Sequence, residues 1–201
     1  MAQRCYGARM LWVALVLGVA VLIALLRGGS LSRFAQIDLR LWWLLIVGAV
    51  VQGIANLLPA DKEWSQEVAV TLILISFGFL MIVVLANHRE VGMWIAGLGI
   101  LMNFIVIGAN AGMPVLPEAA VIAGADSTDL ALDAKHVVLD SDSRLVFLAD
   151  VIPVPFLRQV LSMGDVLLAV GLGLFLEDHL RRPLRLFRHA GSSKPGSAAP
   201  G

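Results

Sequence analysis

Polar and apolar positions do not alternate along this chain; they fall in blocks. Met10 to Leu26 is apolar throughout, between Arg9 and Arg27. Leu41 to Leu58 is a second block, ended by Pro59; Val68 to Ala86 is a third and Val91 to Ile107 a fourth. Each is 17–19 residues long, about the length of helix that crosses a hydrocarbon layer of ~30 Å. A fifth block begins after Ser162, passes Gly171 and Gly173, and stops at Arg181-Arg182-Pro183. The pattern predicts an all-α integral membrane protein built as a five-helix transmembrane bundle. Its spans are expected at about 10–26, 41–58, 68–86, 91–107 and 163–180, within one domain covering 1–185. The small and polar stretch 186–201 is expected to be a disordered cytoplasmic tail.

Between the fourth and fifth blocks lies the longest stretch without a span, 110–162. Pro114 and Pro117 forbid a simple continuation of the fourth helix. Val146 to Leu161 is apolar but is broken by Pro153, Pro155 and Arg158. It is expected to form short interfacial or re-entrant elements, not a crossing. The first block is longer than a usual secretory signal core and runs into Arg27-Gly28-Gly29 without a small-residue cleavage pattern, so an uncleaved helix is expected.

Composition sharpens this picture at three points. The chain is 59% hydrophobic and only 15% charged, as the blocks require. Formal net charge is zero, so no bulk field attracts nucleic acid, and none is expected as a partner. The lone Cys5 excludes an internal disulfide and a cysteine-based metal site. Five spans place the termini on opposite sides. Nine Lys and Arg residues, from Arg27 to Lys194, fall on one side, and six fall on the other, three of them in a loop that also carries seven acids. The basic excess marks the cytoplasmic face. The amino terminus and the long loop are therefore expected outside and the carboxyl terminus in the cytoplasm, with Arg4 and Arg9 running against the rule.

Within the spans a few residues break the apolar pattern. Gly48, Gln52 and Asn56 recur at steps of four, on one face of the second helix. Gly92, Ala96, Gly99, Asn103 and Asn110 make a small and polar stripe on the fourth, a face suited to close helix packing. Ser162-x-x-Asp165 has the form of a capping box in which Asp replaces the usual Glu. The assigned topology brings Asn103, Asn110, Gly112, Lys135, His136, Asp150 and Asp165 toward one exofacial region. These are candidates for binding a ligand or pinning a folded lid, with Gln52 and Asn56 as helix-packing polar residues. Gly112 is expected to supply a positive φ and Lys135 to meet Asp150 or Asp165. No pair of histidines at helical spacing, calcium loop, phosphate loop, nucleophile elbow or dinucleotide fingerprint occurs. No metal site and no cofactor are expected.

On these residues the chain resembles a bacterial membrane family catalogued as domain of unknown function family 5317. The similar stretches are Leu26-Arg27-Gly28-Gly29-x-Leu31, Asn103 with Asn110-x-Gly112-Met113-Pro114-Val115, Lys135-His136-Val137, Asp150-Val151-Ile152-Pro153 and Ser162-x-Gly164-Asp165-Val166-Leu167-Leu168. They run over about Met10 to Leu180. Ala149 stands where the resemblance implies Gly, which would loosen the turn before Asp150. The resemblance implies a membrane protein and no activity.

The leading expectation is a non-enzymatic polytopic membrane protein whose outer polar cluster binds a small ligand, a lipid headgroup or a partner protein, the bilayer itself being its constant partner. The alternative is an exofacial hydrolase or transferase on lipid-linked substrate, with His136 or Asp150 as base and Lys135 as anion stabiliser. A transport component, lined by Gln52, Asn56 and Asn103, ranks third because polar residues do not extend through the depth of the bundle.

Overall fold

The computed structural model describes residues 18–32, 37–59, 62–124 and 136–181. Six helices carry the fold: α1 (18–26), α2 (Trp43–Leu57), α3 (Glu63–Ala86), α4 (Met93–Asn110), the short α5 (Pro117–Ile122) and α6 (Met163–Arg181). Four three-residue strands are added: β1 (Met113–Val115), β2 (His136–Val138), β3 (Ile152–Val154) and β4 (Gln159–Leu161). The chain is thus mostly helical, and the stretch expected to hold short interfacial or re-entrant elements carries α5 and the four short strands, which make a small cap. Among the described residues, two helices are long and apolar enough to cross a membrane, Trp64–Ala86 within α3 and Met93–Asn110. Lys135 and the tail expected at 186–201 lie outside the described residues.

Helix α3 begins inside the polar joint, five residues earlier than the apolar block, and α4 runs three residues past its block, to Asn110. Apolar content marks what hydrocarbon tolerates; the backbone ladder continues until something stops it. At the end of α4 the stop is Ala111, in the left-handed region at φ 50° and ψ 35°. The Gly112 N–H closes the turn on the Ile107 carbonyl at 3.1 Å, a Schellman-type end. Gly112 follows with the positive φ expected of it, 156°, and Ala111 before it is positive as well.

Helix directions follow from which residues meet. Gln52 of α2 donates to Ser76 Oγ of α3 at 2.8 Å, and Gly48 faces Ser76 and Leu80, so the pair is antiparallel. Gly97 of α4 lies against Val84 of α3. Helices α4 and α6 approach through glycines on both sides. A Cβ on Gly99 would overlap the Gly164 carbonyl and the Leu168 backbone, and one on Gly171 would overlap Ala96 and Gly92. The order of these pairs makes α4 and α6 antiparallel. The predicted small stripe of α4 is this interface, where two backbones come together because no side chain separates them. Helix α1 runs parallel to α6: Ala20 faces Gly173, and Ser30 N–H donates to the Leu180 carbonyl at 3.1 Å. So α1, α3 and α6 point one way, and α2 and α4 the other.

Two buried clusters sit inside this arrangement. Toward the cap, Ala55, Val70, Ile73, Val106, Ile107, Met113 and Leu148 pack together. At the other end Val84, Met93, Ile100 and Phe175 do so. The outward faces are also apolar. Ile46 and Val50 on α2, Ile75 and Ile82 on α3, and Leu98, Leu101 and Phe104 on α4 are all exposed.

Candidate functional site

The cap is organised by β1. On one edge it pairs in parallel with β2, with Met113 opposite His136 and Val115 opposite Val138. On its other edge Val115 bridges Asp150 in parallel. There the Asp150 N–H donates to the Pro114 carbonyl at 2.9 Å and the Leu116 N–H donates to the Asp150 carbonyl at 3.0 Å. That edge uses the carbonyl of Pro114 and not the N–H it lacks, which is why proline is tolerated here. Positions two apart on a strand share a face. His136 and Asp150 flank β1 at Met113 and Val115, so their side chains emerge on one face. His136 Nε2 lies 3.5 Å from Asp150 Oδ2, and both side chains are nearly closed to solvent, at 7% and 8% exposure. The other carboxylate oxygen, Asp150 Oδ1, is buried with no hydrogen-bond partner among the described residues. Ala149 before it is extended (φ −69°, ψ 169°) and fully buried. A Cβ therefore fits there, and the turn needs no glycine.

A second polar group joins α4 to the start of α6. Asn103 Nδ2 donates to Asp165 Oδ1 at 2.7 Å, and Ser162 Oγ donates to Asn103 Oδ1 at 2.9 Å. Ser162 and Asp165 close the expected capping box: Asp165 N–H donates to Ser162 Oγ at 3.0 Å, and Ser162 N–H donates to Asp165 Oδ2 at 3.3 Å. The shorter Asp completes the box with one long bond and keeps its second oxygen for Asn103. Asn103 and Ser162 are buried, so this network satisfies polar groups that would be costly if left open. It holds α4 to α6.

The third group is Asn110. Its Nδ2 donates to the Val106 carbonyl at 2.8 Å and to the Arg144 carbonyl at 2.9 Å. Its Oδ1 accepts from the Arg144 N–H at 2.7 Å. The side-chain amide thus pairs with a loop residue as a strand neighbour would, and ties the 140–145 turn to the end of α4.

The described ligand or lid candidates stand toward one end of the bundle, but they divide by bonding. Asn103 and Asp165 form one unit, Asn110 another, and His136 with Asp150 a third. Arg144 was missed in the sequence because its backbone, not its charge, is what Asn110 holds. Ser76, the partner of Gln52, was also missed; a polar residue midway along each of two neighbouring apolar helices is the signal that pairs them. Asn56 Oδ1 is buried without a hydrogen-bond partner. Gln52 and Asn103 are engaged in helix-to-helix bonds.

No curated protein and no solved structure matches the chain. A model of a family of unknown function, DUF5317, matches residues 36–177. The match takes in α2 to α5, the whole cap and α6 as far as Glu177, and leaves outside it the Leu26-Arg27-Gly28-Gly29 stretch and the last turn of α6. By that match the chain belongs to the DUF5317 family.

Proposed function

We propose that the chain is a multi-pass membrane protein that crosses five times, with the cap outside and the carboxyl-terminal end in the cytoplasm. We further propose that the cap binds a ligand carrying an amine or hydroxyl donor without turning it over. The membrane reading is supported by α3 and α4, by the apolar outward faces of α2 and α4, and by tryptophans at the helix ends. Trp42, Trp43 and Trp94 are exposed at one end and Trp64 at the other, as interfacial anchors would be. Large apolar side chains exposed in the middle of helices are costly in water and favoured against lipid. The alternating directions of α1, α2, α3, α4 and α6 suit an odd number of crossings.

The observation that carries the ligand is Asp150 Oδ1. A buried carboxylate oxygen without a donor is costly unless something supplies one. Ammonium and hydroxyl groups do so, and the buried His136 ring beside Oδ2 orients the carboxylate toward such a group. The enzyme reading has the same pair in its favour, because a carboxylate beside an imidazole fixes the tautomer of a general base.

The test compares melting temperatures of the purified protein in detergent supplemented with phosphatidylethanolamine, with phosphatidylcholine or with free ethanolamine. Phosphatidylethanolamine and ethanolamine offer N–H donors; phosphatidylcholine offers none. The reading expects stabilisation by phosphatidylethanolamine over phosphatidylcholine, abolished in Asp150→Asn. An equal gain from ethanolamine places the recognition in a free amine and not in a lipid. Equal melting in all three, or a gain undiminished in Asp150→Asn, contradicts it.

A further inference from the structure

A different cluster lies at the end of the bundle away from the cap. Glu90 sits in the joint between α3 and α4, and Asp178 and His179 sit in the last turns of α6. The crossing of Gly92 over Gly171 brings these two segments together, and a Cβ on Gly92 would overlap the Gly171 carbonyl. The Glu90 N–H donates to the Asn87 carbonyl at 2.9 Å, which fixes the joint. Asn87 in turn exchanges two bonds with the Arg40 backbone, each 2.9 Å.

His179 carries the argument. Its Nδ1 lies 2.9 Å from the Phe175 carbonyl. A carbonyl only accepts, so Nδ1 bears the hydrogen, and the lone pair of the neutral ring is at Nε2. That nitrogen faces Glu90 Oε2 at 3.6 Å. One ligand atom from each of Glu90, Asp178 and His179 lies within 4.8 Å of the others. The ring is 8% exposed and lies on Phe175, with centroids 4.2 Å apart. A ring held by a backbone carbonyl on one nitrogen, which fixes the other as the coordinating atom, is how metal-ligating histidines are set. Ligand atoms about 2.1 Å from a shared ion stand roughly 3–3.4 Å apart, so small side-chain shifts close the site.

We propose that Glu90, Asp178 and His179 bind one first-row divalent transition ion. Two carboxylates and one imidazole form a mixed oxygen and nitrogen set, which suits Zn2+ or Mn2+ better than Mg2+. The ion would tie the α3–α4 joint to the end of α6. The neighbouring Glu177 faces elsewhere, toward Arg27 at 2.5 Å and Arg181 at 3.4 Å, and serves as an internal control. No metal site is expected from the sequence, where no two histidines stand at helical spacing.

The experiment is titration calorimetry of the chelator-stripped protein in detergent with Zn2+, Mn2+ and Mg2+, with X-ray absorption on the zinc form. The proposal expects one saturable Zn2+ equivalent, Mg2+ binding far weaker, and imidazole scattering in the absorption spectrum. His179→Gln and Asp178→Asn should each weaken binding by at least about tenfold, and Glu177→Gln should leave it unchanged. If His179→Gln fails to fold, Asp178→Asn and the imidazole signal still decide. No stoichiometric Zn2+, or zinc binding retained in both ligand variants, overturns the proposal.

Discussion

At the scale of single residues, small side chains do more here than large ones. Gly99 permits contact with Gly164 and Leu168, and Asn103 one turn on then reaches Asp165. Gly99→Leu should lower stability by about 1–3 kcal/mol, the cost of overpacking, while Gly108→Ala should not, since nothing lies within 4 Å of a Cβ there. Thermal unfolding of both variants in detergent checks this; equal melting temperatures would place Gly99 away from α6. The role of Gly99 was legible in the sequence because steps of three and four on an apolar helix define a face. The identity of its partner was not, since Gly164 and Gly171 are two of many glycines. Lys135 was assigned to Asp150 or Asp165 by charge alone. Lys135 lies outside the described residues, and among those described Asp165 bonds to Asn103 and Ser162.

At the scale of elements, the helices were legible and the cap was not. Long apolar blocks leave the backbone little choice but helix, so α2, α4 and α6 begin and end within about three residues of expectation. Three-residue strands carry no periodicity to read. β1 pairs with β2 across more than twenty positions of chain, a non-local pairing that local pattern does not reveal. The cap is held at Asn110, whose amide occupies both the N–H and the carbonyl of Arg144. A protease must free that backbone to cut. Trypsin should therefore leave the bond after Arg144 largely intact in the wild type, although the residue is exposed. In Asn110→Ala the same bond should be cut at least about tenfold faster, the loss of roughly 1.4 kcal/mol of local protection. Rapid cleavage of the wild type after Arg144 would show that the amide does not hold the turn.

At the scale of the whole molecule, two polar ends are separated by helices whose outer faces are apolar. One end is the α/β cap with the His136–Asp150 pair; the other carries Glu90, Glu177, Asp178 and His179 with the arginines that meet Glu177. That division is the central claim, because by it the proposed ligand and the proposed metal ion would lie on opposite faces of the proposed membrane. Reporter fusions after His88, between α3 and α4, and after Ser141, in the cap, test it most directly. The account predicts that the His88 fusion reports cytoplasm and the Ser141 fusion reports the external side. Both fusions reporting the same side would contradict the membrane crossing of α4, and the two reports exchanged would contradict the orientation.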